Sequence, residues 1–282
     1  MSGGKTGSVL LVGGAGGIGR AAAALFREGG WDVFLADRDS SRLEESVRSL
    51  GGGTGTVTPI ELDLTDRTAV ADLAAAFAAE GRRFRALVTL AGVHGTWPAA
   101  FLPDGEIERI LTNNLSAHVM LVRDMLPVIE DGGRIVGVSS IAASVGVPMS
   151  SMYSASKAGL EAFYESLATE IAGRRVKVSI IRPGNVNTGF NETGNCFPGC
   201  GDESVDAAYR RVVERIDSRL GMPARKVAKA VYNAAASPRP RFLYVVGMNA
   251  LKAHWAVRIL GKGPAVRLMA WFFGFRAGPL SL

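Results

Sequence analysis

The chain has 282 residues, 48% of them hydrophobic and 21% charged, which suits one large globular unit with a substantial buried core. Two cysteines are too few for a disulfide scaffold, no apolar run reaches the roughly 18 residues of a membrane-spanning helix, and Met1 to Thr6 is polar where a secretory segment would be apolar, so a reducing, cytoplasmic setting is the default expectation. The net charge of +6 hides an asymmetry: up to Asp217 there are 21 Lys+Arg against 26 Asp+Glu, and after it 11 Lys+Arg with no acid at all.

In chain order, Ser8 to Val12 is a short apolar run, and a glycine cluster then opens a helix whose Ile18, Ala21, Ala22, Leu25 and Phe26 recur at helical spacing. Trp31 to Ala36 reads as a strand, Ser41 to Leu50 as a helix closed by Gly51 and Gly52, Thr56 to Leu62 as a strand, and Thr65 to Ala79 as a helix. The strand Ala86 to Leu90, a long helical region from about Asp104 to Ile129, the strand Arg134 to Ser139, a helix from Met152 to Ala172, and strands Val176 to Ile181 and Arg241 to Val246 complete the alternation. Strands and helices alternating in this way predict a doubly wound α/β fold of Rossmann type, with a mostly parallel seven-stranded sheet covered on both faces.

Such folds bind ligands at the carboxyl ends of their strands, where the strand order reverses. Gly13, Gly17 and Gly19, in Val-Gly-Gly-Ala-Gly-Gly-Ile-Gly, lie between the first strand and the first helix. Glycines there let the backbone approach a pyrophosphate, and the helix N-terminus adds unpaired N–H groups. Asp37 closes the second strand, where a carboxylate accepts hydrogen bonds from a ribose diol and repels a 2′-phosphate, which favours NAD over NADP. Arg38 can tolerate that phosphate, but Ala15 and Gly16 bring no second cation from the loop.

Ser140, Tyr153 and Lys157 are the most informative residues. On a helix, Tyr153 and Lys157 stand one turn apart on one face, and a cation that close is expected to draw the phenol down from its ordinary pKa of about 10 toward the range useful for proton exchange. Alone, Tyr-x-x-x-Lys is also what a plain amphipathic turn produces. Ser139 and Asn113 are adjacent competitors for Ser140 and for Asn114; alternation along the strand points Ser139 and Ser140 to opposite faces.

Together, Gly13-x-x-x-Gly17-x-Gly19, Asp63 after the third strand, Ala91-Gly92 after the fourth, Asn114, Ser140, Tyr153, Lys157 and Pro183-Gly184 after the sixth resemble the short-chain dehydrogenase/reductase family, in its shorter branch, over about residues 8 to 188. Val12 stands where the family usually has Thr, Thr89-Leu90-Ala91-Gly92 where it usually has Asn-Asn-Ala-Gly, and Gly13, Gly16 and Gly19 also satisfy the glycine spacing of the longer branch. The resemblance implies that Tyr153 exchanges a proton with the substrate oxygen while hydride moves to or from the nicotinamide, that Ser140 holds the same oxygen, that Lys157 binds the nicotinamide ribose and biases Tyr153, and that Asn114 holds a relay water through its main chain. It further implies that Ile18, Arg38, Leu64, Ala91, Gly92, Pro183 and Gly184 line the cofactor site, that Asp63 meets the adenine edge, and that Val186 and Thr188 hold the carboxamide and pyrophosphate. A homodimer or homotetramer, through the helices carrying Asn114 and Tyr153, is implied as well.

Residues 189–222, with Cys196, Pro198 and Cys200, are expected to form a substrate lid. The two cysteines lack the partners a zinc site needs, and His94, His118 and His254 show no ligand spacing, so no metal is expected. Residues 250–282 form a basic, aromatic extension, loosely similar to that of retinol- and 17β-hydroxysteroid-dehydrogenase-like members. Packing over the cleft or a partner subunit is the first reading of it, and peripheral membrane contact the second; no nucleic-acid module is present. The whole is read as one oxidoreductase unit, with an NAD-linked interconversion of a hydrophobic secondary alcohol and its ketone as the expectation. An NADPH-dependent 3-oxoacyl or polyketide ketoreductase and a non-catalytic dinucleotide sensor are the alternatives.

Overall fold

A computed structural model describes residues 7–190, 194–217 and 221–275. β1 (Ser8–Val12), α1 (Gly17–Glu28), β2 (Asp32–Asp37), α2 (Ser40–Ser49), β3 (Val57–Glu61), α3 (Arg67–Ala79) and β4 (Phe84–Thr89) alternate as expected. A two-residue strand β5 (Gly95–Thr96) precedes α4 (Asp104–Leu111), α5 (Ala117–Met125) and β6 (Ile129–Val138). Then come α6 (Ser151–Glu170), β7 (Lys177–Pro183), the short strands β8 (Val186–Asn187) and β9 (Asn195–Cys196), α7 (Glu203–Ile216), β10 (Met222–Pro223), α8 (Ala224–Ala236), β11 (Leu243–Val246), α9 (Met248–Leu260) and α10 (Lys262–Phe272).

Seven strands form one sheet in the order β11-β7-β6-β4-β1-β2-β3, every neighbouring pair parallel. The order reverses between β1 and β4, which places a crevice at their carboxyl ends. Alternate residues of each strand supply two cores. Leu10 and Val12 of β1 join Val70, Ala74 and Phe77 of α3, Leu121 and Met125 of α5, and Leu160 and Tyr164 of α6. Val9 and Leu11 face the other way, onto Ala22 and Phe26 of α1 and Val227, Val231 and Ala234 of α8. The apolar sequence of β1 thus reflects burial on both sides.

The long helix expected over 104–129 is instead two helices joined by a π-helical turn, Thr112–Ser116, and it ends early. Pro127 stops it, and Ile129 already pairs with Phe84, so β6 begins five residues before Arg134. The catalytic-motif helix runs Ser151–Glu170, and a 3-10 turn at 172–174 ends on Arg175 in the left-handed region (φ 57°). α8 has no counterpart among the expected elements, although Val227, Val231, Ala234 and Ala235 recur at helical spacing.

The departure at Thr89 has a local explanation. Its Oγ1 lies 2.7 Å from the hydroxyl of Tyr164, in the core between β4 and α6. Tyr164 fits there because β6 carries Gly137 opposite; a Cβ on that glycine would fall within the Tyr164 ring. Val12 and Leu90 are accommodated as ordinary apolar residues on opposite faces of the sheet.

Candidate active site

The glycine loop is tied to the end of β2: the amides of Gly13 and Gly14 donate to the Ala36 carbonyl, at 2.9 and 3.0 Å, and Ala15 N donates to Asp37 Oδ2 at 2.9 Å. Gly13 takes φ +85°, and a Cβ there would collide with the backbone of Ala91. At Gly16, which precedes α1 without any side-chain cap, a Cβ would meet only the Gly13 carbonyl, at 3.5 Å. The first-turn N–H groups of α1 therefore face open space, the arrangement that receives phosphate oxygens.

That space is a cavity of about 680 Å³. Gly13, Gly17, Ile18, Gly19, Asp37, Arg38, Asp63 and Leu64 line one end; Ala91, Gly92, Pro183, Gly184, Val186 and Thr188 line its middle; Ser140, Tyr153 and Lys157 stand beyond. Every residue expected to hold the cofactor lines it, and the cradle fits a dinucleotide: exposed helix-terminal donors, a carboxylate at the second strand and no side chain over Gly16. Asp63 is not the cap of α3. That role falls to Asp66, whose carboxylate accepts from Thr68 N and Ala69 N, whereas Asp63 accepts from Thr65 N and Oγ1, both at 2.8 Å.

Asn114 is fully buried behind the cavity wall, and Asn113 is the residue that lines the cavity. Asn114 Oδ1 accepts from Val93 N at 2.7 Å and its Nδ2 donates to Val93 O at 2.9 Å, so the side chain clamps the segment after β4. The π-helical turn that carries it is the kind of local distortion that places a side chain where a regular helix would not.

Ser140 follows β6 and Tyr153 sits in the first turn of α6, and both line the cavity. Lys157, one turn further, donates from Nζ to the Val138 carbonyl at 3.2 Å and stands 5.9 Å from the Tyr153 ring centre. The electrostatics differ from the expectation. Burial pushes the Tyr153 phenol up to about 12, with the neighbouring Ser140 hydroxyl acting against it. The same desolvation brings Lys157 down to about 8, opposed by the Glu161 carboxylate. The expected lowering of Tyr153 by Lys157 is therefore not the governing effect, because loss of solvent outweighs a cation several ångströms away.

One lining residue escaped the sequence reading entirely, and others are placed more closely than the sequence could. Arg42, from α2, brings a second cation toward the Asp37 end, and no motif marks it. His94 lines the cavity, its ring edge-on to Tyr153 with centroids 4.9 Å apart, and burial holds it neutral, down to about 4. Phe190 stacks 6.1 Å from both rings. His118 is wholly buried; its Nε2 lies 3.0 Å from the Ala91 carbonyl, its Nδ1 has no partner among the described residues, and burial with the Lys157 charge brings it down to about 3. Residues after 188 reach back through several contacts, among them Asn195 of β9, which donates to Glu106 at 2.8 Å, itself paired with Arg109. β5 and β9 form a small parallel bridge at the same place. Cys196 and Cys200 are free and exposed, and no cluster of metal-ligating side chains occurs among the described residues. α10 packs over the cavity, contributing Ala265, Leu268, Met269, Trp271, Phe272 and Phe273 to its wall.

A parallel Rossmann-type sheet with a glycine cradle at its switch point and a Ser/Tyr/Lys set in the same cavity defines a dinucleotide-dependent oxidoreductase. Residues 8–196 match the short chain dehydrogenase family, and the chain belongs to it. The chain is 27% identical to a 3-ketodihydrosphingosine reductase of Bacteroides thetaiotaomicron, over 85% of this chain and 87% of that one. It is 29% identical to a 3-oxoacyl-[acyl-carrier-protein] reductase of Thermotoga maritima, over 65% and 75% of the two chains. Its fold is similar to that of a short-chain dehydrogenase from Streptomyces avermitilis, with a TM-score of 0.79 over 95% of this chain and 97% of that chain at 24% identity.

Proposed function

We propose that the protein interconverts a hydrophobic secondary alcohol, steroid-, lipid- or aromatic-like, and its ketone, with NAD as the preferred cofactor. The observation that carries this reading is the single cavity holding Asp37 at one end and Ser140, Tyr153 and an apolar wall of Val93, Val145, Val147, Phe190 and Met269 at the other. When bound, the nicotinamide dinucleotide supplies or accepts the hydride. Tyr153 gives its phenolic proton to the nascent alkoxide in reduction and takes it back in oxidation. Ser140 donates to the same oxygen and fixes its place, Lys157 binds the nicotinamide ribose hydroxyls and biases the phenol once they occupy the site, and Asn114 holds the Val93 segment against the cofactor. Proton transfer of this kind contributes about 10²–10⁴ in rate, with positioning supplying much of the rest. Residues 189–222, of which 191–193 and 218–220 lie outside the described residues, act as the lid, latched through Asn195 to Glu106. The active form is a homo-oligomer built on α5 and α6, in a cytoplasmic setting.

A second reading, NADPH-linked reduction of a 3-oxoacyl thioester, is favoured by Arg38 and Arg42 at the Asp37 end of the cavity and by the 3-oxoacyl reductase among the relatives. Two measurements decide. Titrating NADH and NADPH by fluorescence should show tighter NADH binding, and Asp37→Ser should reverse the preference; tighter NADPH binding by the unaltered chain would favour the second reading. Tyr153→Phe should abolish turnover of hydrophobic secondary alcohols while leaving NADH binding intact. Surviving turnover would remove Tyr153 from its role.

A further inference from the structure

The hairpin of α9 and α10 has two unlike sides. Its inner side closes the catalytic cavity through Ala253, Ala256, Ala265 and Phe273. On its outer side Met248, Leu251, Trp255 and Ile259 recur at helical spacing along α9, with Ile259 73% and Trp255 51% exposed. Leu268, Trp271 and Phe272 of α10 belong to both sides: they line the cavity, yet Trp271 is 64% exposed, so the mouth of the cavity lies within the apolar surface. Arg215 stands over the Phe272 ring there, at 5.0 Å. Exposed large apolar side chains in this density mark a surface that something covers.

The charges around them say what. Lys252, Arg258, Lys262 and Arg267 are exposed on the hairpin, and none is paired with a carboxylate among the described residues. Beside α9, Lys226, Lys229 and Arg241 rim a second hollow whose wall includes Leu251 and Trp255. A second copy of this chain, docking face to face about a two-fold axis, would set these cations against one another, with no acid after Asp217 to pair them. An anionic lipid surface meets both demands, taking the aromatic and aliphatic side chains into its interfacial layer and the cations onto its phosphates. No described helix is long and apolar enough to cross a membrane, so the hairpin lies in the plane of the surface.

We propose that the outer face of α9–α10 docks on an anionic bilayer, with Trp255, Ile259 and Trp271 inserted and Arg258, Lys262 and Arg267 on the headgroups, so that the cavity opens at the membrane. Docking stands independently of the reaction; only the passage of a lipid-like substrate from bilayer to cavity rests on the function proposed above.

The test uses the full chain with vesicles of phosphatidylcholine alone and of phosphatidylcholine and phosphatidylglycerol in equal parts. Sedimentation with the mixed vesicles only, weakening as salt is added and accompanied by a blue shift of tryptophan emission, is the expected result. Replacing two exposed cations, Arg258→Gln with Lys262→Gln, should weaken binding about thirtyfold, and Ile259→Asp should remove it, while neither moves the melting midpoint or NADH binding. No sedimentation, or equal sedimentation with both vesicle types, overturns the proposal. A dimer that Ile259→Asp converts to monomer, without vesicle binding by the unaltered chain, assigns the face to a second copy instead. NADH binding is read at the glycine loop in every arm, so failure here is distinct from failure of the oxidoreductase reading.

Discussion

The imidazole of His94 meets the Tyr153 ring edge-on, 4.9 Å between centroids, and is one of the groups that keep water from the phenol. Its Nε2 lies 3.3 Å from Ser150 Oγ, at the start of α6, so the ring is held from the far side as well. Because burial is what pushes Tyr153 up to about 12, His94→Ala should admit water and bring the phenol down. The expected outcome is a pH–rate profile whose Tyr153-dependent limb moves to lower pH, with NADH affinity unchanged. A profile that keeps its position would detach His94 from that role.

Lys157 offers a linkage experiment on the cofactor-free chain. Its folded pKa of about 8 lies below the value of about 10.4 for an exposed lysine, so between those limits the unfolded chain binds the extra proton and stability rises with pH. Below about 8 the buried charge costs its full amount, about 3 kcal/mol before relaxation. Lys157→Met should therefore melt above the parent at pH 7, with the gap closing as the pH approaches 10. Thermal melts of both chains across that range check it, and a constant gap would place the cost elsewhere.

Glu161 and Arg182 form a nearly buried ion pair between α6 and β7, and Arg182 also touches His254 of α9, 3.2 Å from Nη1 to Nδ1. Removing one partner leaves a buried charge uncompensated, so Glu161→Gln should cost about 3–5 kcal/mol in urea unfolding. Replacing both, Glu161→Leu with Arg182→Met, should recover most of that loss. The single variant should also take Lys157 further down, since Glu161 is the group that opposes its desolvation.

The Thr89–Tyr164 pair makes a separable prediction about the core. Tyr164→Phe strands the Thr89 hydroxyl and should cost about 1–3 kcal/mol, while Tyr164→Phe with Thr89→Val should be closer to the parent than the single variant. Gly137→Ala should be worse than either, because its methyl group meets the Tyr164 ring. Urea midpoints of the four chains rank them.

Legibility in the sequence followed the range of the interactions. β1, β2 and α1 could be read because burial on two faces and helical spacing are local patterns, and the glycine loop because its turn leaves no room for side chains. The residues expected to hold the cofactor line one cavity because most of them lie just beyond the carboxyl ends of neighbouring parallel strands. The π-helical turn at Asn114 could not be read: nothing in Thr-Asn-Asn-Leu-Ser announces an extra residue per turn, and its justification is a distant contact with Val93. Arg42 and His94 were missed or underweighted because they reach the cavity from ordinary helix and loop positions. The sign of the Tyr153 shift depends on enclosure, a property of walls contributed by α6, the Phe190 segment and the residues after β4, and no spacing encodes that.

α10 and the Gly13–Gly19 loop, far apart in the sequence, line the same cavity. Without α10 the sheet, its glycine cradle and the Ser140–Tyr153 pair would keep their places, but that part of the cavity wall would be missing. Exchanging residues 262–273 alone should leave NADH binding at the glycine loop unchanged and alter which substrates are turned over, which substrate profiling of the two chains checks.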